Sequence, residues 1–286
     1  MSLSNPSVSA TLPRYARVLS IAGSDSGGGA GIQADVKTMS ALGCYGMTAI
    51  TALTAQNTQG VRGIHGVPAP FLQDQLDAVL QDIGTDAVKI GMLHAPDVVA
   101  VVASVIDRYQ LQNVVLDPVM VATSGDRLIA EATVGELVRE LFPRAAVITP
   151  NLDEAGLLLG RRIDGEHALE QAARDLLAMG AQAVLVKGGH LPGDEVVDLL
   201  MTADGQRLRL ASPRIHTHNG HGTGCTLSSA IACHLALGQP LLQAVERARQ
   251  YILGAIAAGA HVHTGQGHGP LNHGWQPQAQ VVIAVR

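Results

Sequence analysis

Aromatic residues are scarce: Phe, Trp and Tyr together make up 2% of the 286 residues. A hydrophobic core must therefore be built from Val, Leu, Ile and Ala, and the stacking platforms that hold nucleic-acid bases are not expected. Charge is thin as well. Only 15% of residues are Asp, Glu, Lys or Arg, the formal net charge is −5, and no basic block occurs. That argues against a polyanionic partner such as nucleic acid. The three cysteines, Cys44, Cys225 and Cys233, are odd in number and lack C-x-x-C spacing. Neither a disulfide framework nor a cysteine zinc site is indicated. No run reaches the roughly 18–20 apolar residues of a membrane span. The opening "MSLSNPSVSATLPRYA" has no apolar signal core. Residues 1–16 read as a disordered leader, and a reducing cytoplasm is the expected compartment.

What the chain does have is aliphatic residues in a regular order. Hydrophobic residues reach 47%, enough for a sizeable core. "RVLSIAG", "MTAITALTAQ", "AVKIGM", "NVVLDPVM", "AAVITPN" and "AVLVKGG" are apolar runs of strand length, as expected for parallel strands buried on both faces. Amphipathic helical segments lie between them. "GIQADVKTMSAL" puts Ile32, Val36, Met39 and Leu42 on one face, and "PFLQDQLDAVLQDI" does so with Phe71, Leu72, Leu76, Val79 and Leu80. The alternation predicts an α/β fold, a doubly wound and mainly parallel sheet with helices on both faces. "EVVDLLMTADGQRLRL" interrupts it and reads as a hairpin turning at Asp204-Gly205, which adds an antiparallel edge. With no repeat or linker to divide them, residues 17–286 read as one domain. The tail from His261, rich in Gly and His, reads as loop. In such sheets ligands bind at the carboxyl ends of the strands.

Two glycine-rich stretches need an explanation. "GSDSGGGAG", residues 23–31, follows the first strand. It lacks the GK[ST] ending of a P-loop and fits the dinucleotide fingerprint poorly. "NGHGTGCTLSSAIACHLALG", residues 219–238, sets Gly220, Gly222 and Gly224 ahead of a helix. A glycine turn opening a helix aims backbone N–H groups and the positive dipole end at one point, an anion hole for a phosphate. Cys225 falls in the first turn, where the thiol pKa is expected to drop and the group to accept a proton from a substrate hydroxyl. The plainer alternative is a glycine turn with a small buried cysteine. In "TPNLDEAGLLLG", Asn151 or Asp153 caps a helix and Glu154 suits its dipole, or else Asn151 and Glu154 face one Mg²⁺-water shell. Lys187 in "VKGGH" and Asp117 in "VVLDPVM" each end a strand, Lys187 where it can neutralise a nucleotide phosphate and Asp117 at a turn or a cation. His216, His218, His221, His261 and His263 invite a zinc reading, but no Cys or carboxylate pattern completes a ligand set.

Taken in order, "IAGSDSGGGAGIQADVKTMSALGCYGMTAITALTAQNTQGV", "VKIGMLH", "VVLDPVMVATSGDRLI", "ITPNLDEAGLLLG", "VLVKGGHL" and "HGTGCTLSSAIA" resemble the hydroxymethylpyrimidine/phosphomethylpyrimidine kinases of the ribokinase-like superfamily, across nearly all of residues 17–273. The resemblance implies a kinase of thiamine biosynthesis, using ATP and Mg²⁺. Its substrate would be 4-amino-5-hydroxymethyl-2-methylpyrimidine, phosphorylated to the monophosphate and then the diphosphate. It implies that Asp35 and Gln56 hydrogen-bond the aminopyrimidine, with Gly23, Met92 and Val119 around the ring. Lys187 would meet the ATP phosphates, with Asn151, Glu154, Thr223 and Gly224 also on the nucleotide side. Asp117 and Glu154 would organise Mg²⁺, partly through water. Gly222, Thr223, Gly224 and Cys225 would form the anion hole, Cys225 standing where many relatives carry an aspartate base. A homodimer is also implied. Thr123 replaces a frequent lysine of the family. A pyridoxine or pyridoxal kinase on the same fold is the nearest rival reading, and a non-catalytic pyrimidine sensor a more distant one.

Overall fold

The computed structural model describes residues 12–120, 129–189 and 191–283. Thr123 and residues 1–11 of the expected leader lie outside them. The strands are β1 (Arg14–Tyr15), β2 (Arg17–Ala22), β3 (Tyr45–Ile50), β4 (Ala52–Asn57), β5 (Gly60–Gly66), β6 (Ala87–Ile90), β7 (Val114–Leu116), β8 (Val147–Ile148), β9 (Ala183–Val186), β10 (Glu195–Thr202), β11 (Arg207–Pro213) and β12 (Val282–Ile283). The helices are α1 (Gly31–Ala41), α2 (Ala69–Asp82), α3 (Pro96–Tyr109), α4 (Glu131–Leu141), α5 (Leu152–Leu159), α6 (His167–Ala178), α7 (Thr223–Ala236) and α8 (Leu241–Gly259).

Eight strands form the central sheet in the order β11-β10-β9-β8-β7-β6-β2-β3. From β3 to β9 all pairings are parallel, and the β10–β11 hairpin joins β9 antiparallel. The mainly parallel, doubly wound sheet and its hairpin edge are those the sequence predicts. After β2 the chain moves outward to β3, then returns past β2 to β6. Such a reversal opens a crevice at the carboxyl ends of the two strands. The loops from Gly23 and from Gly91 therefore flank it.

The strands are apolar throughout because both faces are covered. Successive side chains point to opposite faces. Leu19, Ile21, Val88 and Ile90 enter a core with α2, α3, α4 and α6, whereas Val18, Ala87, Val115 and Leu185 enter another with α1, α7 and α8. The same alternation turns Ser20 and Lys89 toward α1 and α7, where no aliphatic core claims them. Both are fully buried.

Three expectations are corrected. "MTAITALTAQ" is not one strand: the chain leaves the sheet after Ile50, and β4 pairs with β5 in a separate two-stranded ribbon bulged at Ala55/Gln56. Within residues 1–16, Arg14–Tyr15 is an ordered strand: it pairs with Val282–Ile283, and Arg14 grips both oxygens of Asp86. That strand also gives the C-terminal tail a fixed end. Finally, Phe71 does not share the buried face of α2; it is 58% exposed, while Leu72, Leu76 and Leu80 pack inward.

Candidate active site

Helices α1 and α7 bring their N-termini together over the carboxyl ends of the strands. Gly222 is the N-cap of α7 and takes φ 85°, a left-handed conformation that only glycine adopts freely. A Cβ there would also run into the carbonyl oxygen of Gly29. Thr223, Gly224 and Cys225 follow as the first turn, their backbone dipoles aligned outward. The backbone of Gly31, at the start of α1, lies beside the Cys225 thiol. The opening glycine loop thus reaches Cys225 in the first turn of α7.

Cys225 does not have the depressed thiol pKa expected at a helix start. Burial pushes it up to about 11, against the pull of the nearby Lys89 ammonium, while Asp35 and Asp117 add to the rise. Desolvation of the thiolate outweighs the helix dipole here.

On one side of this turn lies a charged cluster. Asp117, directly after β7, is buried and accepts from Lys187 Nζ at 2.8 Å and from Thr149 Oγ1 at 3.0 Å. Lys187 Nζ also lies 3.9 Å from Glu154 Oε2. Although burial opposes ionisation, Lys187 and Lys89 hold the Asp117 carboxyl below its usual range. Burial and the neighbouring Asp117 charge push Glu154 up to about 7 in spite of Lys187. The capping reading of "TPNLDE" is realised: Asn151 Oδ1 accepts from Glu154 N at 2.9 Å, and Glu154 Oε2 accepts from Asn151 N at 2.8 Å. This reciprocal box fixes Glu154 at the start of α5, facing Lys187.

On the other side is an apolar wall. Met92 shares a small cluster with Ala52, Met120 and Ile129, against which Val119 packs. Gly23 lies against the wall, where a Cβ would approach the Met92 methyl to 2.6 Å. Gln56 stands on the ribbon, half-buried, its backbone N–H donating to Ser26 Oγ at 2.9 Å. Gly23, Met92 and Val119 are thereby drawn together at the sheet crevice, with Gln56 above them on the ribbon tied to the opening loop.

Asp35 is placed differently from the expectation that it contacts a pyrimidine. It is fully buried and accepts two bonds from Lys89 Nζ, both at 2.9 Å, with Ser20 Oγ at 2.6 Å and Ser229 Oγ at 2.7 Å. A carboxylate has about four acceptor sites, and all are taken. Asp35 underpins the site from below. The sequence reading missed this partner set, although a lysine inside the apolar run "AVKIGM" was its visible signal. It also missed Asp25, which meets His221 at 2.8 Å; His221 is not part of a histidine cluster. Among the described residues no group of three or more His, Cys, Asp or Glu is placed to hold a metal ion.

A doubly wound sheet with a glycine-capped helix start, a buried Lys–carboxylate cluster and a facing apolar crevice defines a ribokinase-like small-molecule kinase. The family model for phosphomethylpyrimidine kinase matches residues 25–272, and the chain belongs to that family. A hydroxymethylpyrimidine/phosphomethylpyrimidine kinase of Rhizobium meliloti is 52% identical over 256 residues, spanning 89% of this chain and 96% of that protein. The crystal structure of a Clostridium difficile phosphomethylpyrimidine kinase superposes with TM-score 0.74 at 40% identity, covering 84% and 99% of the two chains. A Bacillus subtilis pyridoxal kinase, solved as an ADP complex, superposes with TM-score 0.84 at 37% identity, covering 91% and 98%. The protein is a phosphotransferase.

Proposed function

We propose that the protein transfers a phosphoryl group from ATP to the hydroxymethyl group of 4-amino-5-hydroxymethyl-2-methylpyrimidine, and then a second to the monophosphate. The observation that carries this reading is the position of the α7 start, between the Lys187–Asp117–Glu154 cluster and the crevice of Gly23, Met92 and Val119. Phosphoryl transfer needs in-line positioning and charge neutralisation more than covalent chemistry. The backbone N–H groups of Gly222 to Cys225 receive the charge of the moving phosphoryl group. Lys187, now paired with Asp117, meets the nucleotide phosphates. Cys225 can take the hydroxyl proton only as the thiolate, the minor form of a thiol raised to about 11, once its own proton has left to solvent. Gln56 reads the amine and ring nitrogens with its paired donor and acceptor.

Asp117 and Glu154 offer hard carboxylate oxygens beside one ammonium. That donor set fits Mg²⁺, which takes one or two carboxylates and completes its shell with water and phosphate oxygens. These two residues would hold it, Glu154 partly through water; the ion, when bound, neutralises phosphate charge.

A second reading, pyridoxal phosphorylation, is favoured by the likeness to pyridoxal kinases, including a Staphylococcus aureus structure with AMP-PCP and pyridoxal at TM-score 0.82 and 34% identity. A coupled assay with the pyrimidine alcohol, its monophosphate, pyridoxal and pyridoxine separates the two. Turnover of both pyrimidines above the pyridoxal compounds is expected; a clear preference for pyridoxal or pyridoxine would overturn the proposal. A cytoplasmic homodimer is part of the same reading. No helix among the described residues is long and apolar enough to cross a membrane.

A further inference from the structure

The loop opening α1 and the loop opening α7 are joined by a buried acid–histidine contact that the proposed chemistry does not use. Asp25 is 1% exposed and sits at the centre of the 23–31 loop. Its Oδ1 accepts from Gly27 N at 2.8 Å, and its Oδ2 from Gly29 N at 3.0 Å and Ala30 N at 2.8 Å. The same Oδ2 lies 2.8 Å from Nε2 of His221, 196 residues away in sequence. An ionised carboxylate only accepts, so His221 Nε2 carries the proton. His221 is buried and immediately precedes Gly222, the N-cap of α7.

Further contacts extend this link to the ribbon. The His221 backbone N–H donates to Gly269 O at 3.1 Å. In the same tail segment, His268 N donates to Thr58 O at 2.9 Å and Gly267 N to Thr58 Oγ1 at 3.2 Å. Thr58 lies in the β4–β5 turn, two residues beyond Gln56. Asn219 fixes the approach to His221 by donating to Gly259 O at 2.7 Å and Val262 O at 2.6 Å. Ribbon, tail, anion-hole loop and opening loop thus form one hydrogen-bonded belt around the crevice.

We propose that Asp25 and His221 are a positioning pair for phosphoryl transfer: their contact sets where the α7 N-terminus and Cys225 stand relative to the crevice. Neither residue touches the reacting atoms. A buried polar contact of this kind adds little net stability by itself, and its best-attested use is to fix register. The register fixed here is between two loops that no strand pairing connects. Gly222 turning against the Gly29 carbonyl, and Gly31 lying beside the Cys225 thiol, transmit the position of one loop to the other.

The test rests on the kinase reading above and uses the full chain with Asp25→Asn, His221→Phe, His221→Gln and the Asp25→Asn/His221→Phe double variant. With the pyrimidine alcohol and MgATP, Asp25→Asn and His221→Phe should each lower kcat about tenfold or more, since misplacing a reacting group by about 1 Å costs up to about 10²-fold. KM for both substrates should change far less. His221→Gln, which keeps an N–H donor, should recover most of the loss. The double variant should be no worse than the worse single variant, as expected for two ends of one contact. Iodoacetamide alkylation of Cys225, followed by mass spectrometry in the substrate-free protein, should accelerate in both single variants. Additive losses, a Gln variant as poor as Phe, or an unchanged alkylation rate would each overturn the proposal. If the unmodified protein does not turn over the pyrimidine, the substrate reading fails while the alkylation series still decides the positioning role.

Discussion

At the residue scale, two side chains at the site are assigned opposite duties, and kinetics separates them. Cys225 holds a proton firmly, its thiol pushed up to about 11 by burial. It is a base only in its minor thiolate form, so its part in the reaction should grow as pH rises toward 11. Cys225→Ala is expected to lower kcat by about 10²-fold, the lower end of general-base contributions, with pyrimidine affinity nearly unchanged. Gln56→Ala should instead weaken pyrimidine binding about tenfold, corresponding to roughly 1–2 kcal/mol for polar groups left unpaired. Calorimetric affinities together with kcat check both. Equal loss of binding in Cys225→Ala would move that residue into the substrate pocket, and an unchanged affinity in Gln56→Ala would remove it. That Lys187, Asp117 and Cys225 stand together at one end of the sheet was legible in the sequence, because each ends a strand or opens a helix. The burial of Asp35 was not legible because a carboxylate on a helix gives no sign of its face. Its partners Ser20, Lys89 and Ser229 come from two strands-to-helix units and a helix near the other end of the chain.

At the scale of elements, the sequence was readable wherever local chemistry and tertiary context agree. The Asp204-Gly205 hairpin, the Asn151–Glu154 capping box and the glycine start of α7 all appear where expected. The β3–β4 boundary does not. "MTAITALTAQ" is uniformly strand-like, and only the sheet edge decides that its second half turns away to pair with β5. The start of α7 carries the sharpest consequence. Gly222→Ala places a Cβ in the left-handed region and against the Gly29 carbonyl. Backbone strain of this kind costs on the order of 1–3 kcal/mol, and relief requires the two loops to part. The variant is expected to lose thermal stability and, beyond that, turnover at temperatures where it is fully folded. A Gly222→Ala protein with normal kcat below its melting range would show that the hole tolerates displacement from the opening loop.

At the scale of the whole molecule, the parallel core was legible because its strands are buried on both faces, and the order of blocks along the chain identified the family. What sequence order could not supply is the meeting of residues 25 and 221, which follows from α7 returning from the β11 edge to pack beside α1 over β6 and β2. The finished molecule also buries ionisable groups whose titration has opposing effects on stability. Burial lowers His234 and His273 to about 4. Below about pH 6.5 the unfolded chain binds protons that these folded histidines refuse. Their contribution is therefore complete above pH 6.5 and is lost as pH falls toward 4. Glu154, pushed up to about 7 by burial, has the opposite sign: folding favours its protonated form, so acidification in this range adds stability. The net slope is a difference of these terms, and removing the histidines isolates them. A His234→Asn/His273→Asn variant should lose fewer degrees of melting temperature than the parent between pH 7 and pH 4.5. Identical pH slopes for the two proteins would mean that neither histidine is held neutral by the fold.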